Sequence, residues 1–221
     1  MSSIVLSPGA TGAAAFTIEA PSTATSRVIT LPDATDTLVG KATTDTLTNK
    51  SIAATQLTGT VAAARMPAGS IVQVVFERYT TAASVGNTST DTSSGFTATI
   101  TPTSASNKIL VIFASTMGNS QDSTQMACSM RKNIASAGFV ATTFNINIMA
   151  YFNNVSAYIA YQQIAFSFTT LDSPATTSST VYSPFFYGTH GASSGTAYLG
   201  GRNNDGLNAS TSTITLMEVV A

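Results

Sequence analysis

Charge is what this 221-residue sequence has least of: charged side chains make up 9% of it, where soluble globular domains carry roughly 25%. Nine basic and ten acidic residues leave a net charge of −1 and are scattered along the chain, never more than two together. Without a basic patch there is nothing to displace counterions from a phosphate backbone, so nucleic acid is not an expected partner. The one cysteine, Cys128, excludes an internal disulfide, and folding needs no oxidising compartment. The one histidine, His190, cannot supply the several His or Cys ligands of an ordinary zinc site. Long apolar runs are missing too. Ile109 to Ala114 is the longest, far short of a bilayer-spanning segment, so no membrane insertion is expected. The opening MSSIVLSPGATGAAAF has neither a basic start nor an apolar run of about 7–15 residues, and does not read as a secretory signal.

Threonine takes the place of charge, at about one residue in six. It is β-branched and suits pleated surfaces, so a surface solvated by hydroxyls and amides fits a β-rich protein in an assembly. Composition changes near residue 70. Phe16 is the only aromatic before Met66, and every other aromatic follows Ser70. Residues 1–69 hold Ala, Thr, Ser and Gly with isolated aliphatics, a poor basis for a core against the entropy of ordering the chain. Such a segment is either disordered or ordered by partners. Intertwined copies around a symmetry axis solve the problem, with aliphatics such as Leu38, Leu47, Ile52, Leu57 and Val61 burying against their counterparts. Residues 50–65 tolerate one short helix.

Residues 70–221 alternate with a period of two. Ile71–Phe76 opens a strand, and Phe96, Ala98 and Ile100 share one face. Lys108–Phe113 is apolar on both faces, as a central strand is. Met126, Cys128 and Met130 alternate with Ala127, Ser129 and Arg131; Ile164, Phe166 and Phe168 alternate with Ala165, Ser167 and Thr169. Thr180–Tyr187, Thr196–Gly200 and Thr211–Val220 complete the set, with turn signals between them. Eight or nine short strands and no convincing amphipathic helix define an all-β protein: an extended N-terminal stalk or attachment segment (1–69), then an antiparallel β-sandwich head of jelly-roll type (70–221).

Catalytic chemistry finds little support. His190 lies in a Gly-flanked stretch that reads as a loop or interface position. Cys128 reads as a small core hydrophobe, not a reactive thiol. Asp33, Asp36 and Asp45 could hold a cation but fit turn initiation better, and Asn203-Asn204-Asp205-Gly206 is a turn without the spaced carboxylates of a calcium loop. Glycoside hydrolysis needs two carboxylates about 5–9.5 Å apart, which ten scattered acids give no reason to expect. No phosphate-binding glycine motif is present. The chain therefore reads as a non-enzyme without catalytic residues, metal or cofactor. One stretch mixes aromatics and amides in a way that suits sugar faces and hydroxyls: Tyr151, Phe152, Asn153, Asn154 and Tyr158. The same residues also suit a core edge or a subunit interface.

The stretch Leu38-Val39-Gly40-Lys41-Ala42-Thr43-Thr44-Asp45-Thr46-Leu47-Thr48-Asn49-Lys50-Ser51-Ile52 resembles the DTLTNK segment of tailed-bacteriophage fibre and appendage proteins. Gln56–Ser70 is similar to the linker before their β-sandwich tips, and Ser212–Glu218 to the last strand of those tips. The resemblance covers about a third of the chain. It implies a virion structural protein made in the host cytoplasm: a homotrimeric fibre docked on other virion proteins through its N-terminal part, its head presented to a host-surface glycan, a host protein or a neighbouring virion protein. A secreted carbohydrate-binding β-sandwich module without catalysis is the alternative. A polysaccharide depolymerase, with so short a chain, is the weakest reading.

Overall fold

The protein is described from a computed structural model, which describes residues 61–120, 124–142, 148–152, 162–190, 195–202 and 209–221, with 25–26, 51–53, 55 and 59 before them. The chain divides into two compact units, 1–57 and 58–221. Leu38, Leu47 and Leu57 lie outside the described residues, as do Asp33, Asp36, Asp45 and Asn203–Gly206.

Twelve strands are described: β1 (Ile71–Tyr79), β2 (Ala83–Gly86), β3 (Thr88–Ser93), β4 (Ala98–Ile100), β5 (Lys108–Asn119), β6 (Thr124–Ile134), β7 (Phe139–Ala141), β8 (Ile148–Phe152), β9 (Gln163–Asp172), β10 (Thr180–His190), β11 (Thr196–Leu199) and β12 (Ser212–Val219). Within the 50–65 stretch that tolerates a short helix, the described residues include a 3-10 turn at Ala63–Arg65 and 3-10 backbone at Thr55.

Pairing is antiparallel throughout and builds two sheets. In the first, β9 occupies one edge of β5 along Ile109–Gly118, so β12 and β11 share its other edge. Its main order is β1-β12-β5-β9, with β2 beside β11. In the second, β6 pairs with the whole of β10, β3 and β4 share the far side of β10, and β7 and β8 share the far side of β6. The chain crosses between sheets between β2 and β3, between β4 and β5, between β5 and β6, and on each step from β8 to β11. That is a jelly roll, with β2 and β11 added as a small extension.

The core lies between the inward faces. Phe96, Ala98, Ile100, Ile109, Val111, Phe113, Met126, Cys128, Met130, Phe168, Tyr182, Phe186, Ile214 and Leu216 are buried there. Period-two alternation explains the placement, since β5 and β12 bury alternate residues along most of their length. Phe113 sits against Phe166 and Phe168 with ring centroids 5.7 and 5.4 Å away. Ala127 and Ser129, on the face of β6 opposite Met126, Cys128 and Met130, are buried as well. The outward face of the second sheet carries its own cover: Phe185 and Phe139 meet at 5.1 Å and the Arg131 guanidinium lies 4.8 Å from the Phe185 ring. On β9 the inward residues lose cover along the strand: Phe168 is buried, while Ile164 is exposed.

Candidate interaction surfaces

Register fixes which residues share each end of the sandwich. Lys108, Val219 and Ile71 are aligned at one end, where Gly69 N donates to the Val220 carbonyl at 2.8 Å and Val220 N to the Ser70 carbonyl at 2.9 Å. The chain from the N-terminal side enters here. At the opposite end, Thr124 is the partner of both Phe152 and His190, and Gln163 is the partner of Gly118. The recognition candidates fall at this far end: Tyr151 and Phe152 close β8, while Asn153, Asn154 and Tyr158 lie outside the described residues. His190 is the last residue of β10, not a loop residue, because the ladder with β6 runs on to Thr124.

The most distinctive exposed surface is the outer face of the first sheet. Val74, Met217, Leu110 and Leu171 are successive cross-strand partners on β1, β12, β5 and β9, and make an apolar row across the whole sheet. The next row is Phe76, Thr215, Ile112 and Thr169. Val74 and Phe76 are 57% and 59% exposed, and Ile71 beside the entry point is 51% exposed. β1 pairs only with β12 among the described residues, so its other edge offers free backbone donors and acceptors. Ile52 and Val61, two of the expected stalk contacts, are exposed as well. Sequence reading took Ile71–Phe76 as a strand but missed this face, whose row exists only once register sets four strands side by side.

Buried polar groups mark the inner positions at the entry end. Glu218 is fully buried on β12, and its Oε1 accepts from Thr103 N, Thr103 Oγ1 and Asn107 Nδ2, each at 2.7 Å. Lys132 on β6 meets Asp172 on β9 at 2.9 and 3.0 Å, and the Tyr182 hydroxyl on β10 donates to the same carboxylate at 2.7 Å. Burial first, then the Asp172 charge, pushes the Tyr182 hydroxyl well above the usual phenol range. Burial, with a smaller push from Asp91, likewise raises the Cys128 thiol far above its ordinary value and keeps it a neutral core group. Among the described residues no three of His, Cys, Asp and Glu gather as a metal site requires. No helix among them is long and apolar enough to cross a membrane.

No protein-family model matches the chain, and no curated protein does. Among solved structures, it is similar to that of the infectious bursal disease virus Gx strain, with 14% identity over 75% of this chain and 43% of that chain, at a TM-score of 0.38. It is similar to the Gt strain structure at 14% identity, with the same coverage and a TM-score of 0.35. The chain spans less than half the length of these viral chains.

Proposed function

We propose that this chain is a non-enzymatic virion structural protein, a subunit of a homotrimeric bacteriophage fibre or appendage. One observation carries the reading: the apolar row Val74–Met217–Leu110–Leu171 crosses an exposed sheet face beside the point where the chain enters the head. Monomeric soluble proteins rarely leave such a contiguous apolar face open to water. A second copy of the same chain is the occupant the surface favours. The two rows carry no ionisable side chain, so no repulsion opposes self-association, and they lie where the stalk segment with exposed Val61 and Met66 runs into β1. The DTLTNK resemblance in residues 38–52 supports the same assignment. Residues 1–69 serve as stalk and dock on other virion proteins, residues 70–221 form the head, and Leu38, Leu47, Ile52, Leu57 and Val61 pack around the trimer axis. Tyr151 and Phe152 at the far end, together with Asn153, Asn154 and Tyr158 that follow in the sequence, meet the host glycan or protein.

The test is the mass of the full chain in solution by light scattering, alone and with Val74→Lys and Phe76→Lys combined. A wild-type trimer that the substitutions weaken, with far-UV circular dichroism unchanged, is expected. A wild-type monomer overturns the reading and favours a free carbohydrate-binding module.

A further inference from the structure

Lys132, Asp172 and Tyr182 come from three strands and both sheets, and meet inside the sandwich. Lys132 is 8% exposed, and Asp172 and Tyr182 are fully buried. The lysine Nζ is placed almost symmetrically before the carboxylate, 3.0 Å from Oδ1 and 2.9 Å from Oδ2. Tyr182 Oη donates to Oδ2 at 2.7 Å, and the Ser173 carbonyl lies 3.5 Å from Nζ. Ile109, itself fully buried, is the register partner of Asp172 on β5, and Tyr182 is the register partner of Lys132 on β10. An ammonium and a carboxylate withdrawn from water into such surroundings lose much of their hydration, and their mutual attraction does not always restore it. An amide between them carries no charge at all.

We propose that Lys132 and Asp172 condense into an intramolecular isopeptide bond that ties β6 of one sheet to β9 of the other. Proton transfer within the pair leaves a neutral amine and a carboxylic acid protonated on Oδ1. The Nζ lone pair attacks Cγ, forming the C–N bond while the carbonyl electrons move onto Oδ2. There the Tyr182 hydroxyl, kept protonated by its burial, steadies the developing charge as an oxyanion donor does. A proton from nitrogen then passes to the Oδ1 hydroxyl, which departs as water while the C=Oδ2 bond re-forms. The products are one amide and one water, with no oxidant, nucleotide or metal consumed. The fold supplies the main acceleration by holding amine and carboxyl at contact distance, where a unimolecular step replaces a bimolecular one. The proposal stands independently of the fibre assignment.

The intact chain is denatured and digested with trypsin, which does not cut after an acylated lysine. Arg131 and Arg202 are the flanking sites, so a linked chain releases residues 132–202 as one cyclised peptide, lighter than its sequence by one water. Recovery of 133–202 alone, at full sequence mass even after prolonged incubation of the folded protein, overturns the proposal. Lys132→Arg and Asp172→Ala are expected to abolish the mass loss. Tyr182→Phe retains the ring and both reacting groups, and is expected to slow linkage at least tenfold. Linkage at the wild-type rate in that variant removes Tyr182 from the mechanism. Should the two abolishing variants fail to fold, the wild-type peptide mass decides the matter alone.

Discussion

Cys128 shows how much a single neutral side chain is worth to the core. Its thiol is raised by burial in the native state, so the folded value lies above the unfolded one. Stability from this group is whole below the unfolded thiol pKa of about 8.5. Above it the unfolded chain ionises and the native one does not, so stability falls by about 1.4 kcal/mol per pH unit. Cys128→Ala is expected to flatten the urea-midpoint profile between about pH 8.5 and 10, before tyrosine ionisation begins. Glu218 is the opposite case, a charged residue whose loss leaves a buried donor stranded. Glu218→Ala takes the Oε1 acceptor from Thr103 N, Thr103 Oγ1 and Asn107 Nδ2. Thr103 is exposed and water can replace its bonds, while Asn107 is buried, and a buried donor left unpaired costs about 1–3 kcal/mol. A urea midpoint lowered at constant slope is the expected readout. Alternation made Cys128 legible as a core residue in the sequence. It could not reveal Glu218, which occupies an inward position that the pattern Ile214, Leu216 reserves for apolar groups; its partners come from the connection between β4 and β5.

At the scale of elements, the strongly alternating strands were legible and the polar ones were not. β1, β5, β9, β10 and β12 stand where hydrophobic periodicity placed them. β2 and β3, written as Ser, Thr, Val and Gly, carry turn chemistry and become strands because β11 and β10 offer them edges. β7 and β8, short apolar runs without a period of two, stayed hidden for a different reason and exist as partners of β6. The turn between β6 and β7 is a place where sequence and backbone disagree. Ala135 and Ser136 both adopt positive φ, 50° and 63°, and the Ala137 N–H closes onto the Ile134 carbonyl at 3.0 Å. Such primed turns prefer Asn-Gly because L side chains are strained there. Ser136→Gly is therefore expected to raise stability by about 1 kcal/mol, read as a higher thermal midpoint.

For the head as a whole, the two ends of the sandwich differ in what they carry. The chain enters at Ser70 beside Val220, while β8 delivers Tyr151 and Phe152 to the opposite end. Composition gave the change of character near residue 70 and alternation gave the sandwich. Which strands are neighbours is decided by long-range pairing, so neither the polarity of the ends nor the apolar face could be read in advance. If the far end contacts the host, Tyr151→Ala combined with Phe152→Ala lowers adsorption of labelled protein to host cells by about tenfold or more, as removal of aromatic anchors generally does. The melting temperature should stay within a few degrees of wild type.

The hydrogen-bonded register of β1 against β12 also sets how the head answers a pull. Tension applied through residue 69 and resisted at the far tip runs parallel to both strands, so the rungs from Ile71–Val219 to Tyr79–Ser212 bear the load together and must rupture as a set. Drawn outward by Gly69 and Val220 at once, the same two strands part rung by rung like a zipper. The head is thus mechanically anisotropic, strong along the axis a tethered fibre would strain and weak across it.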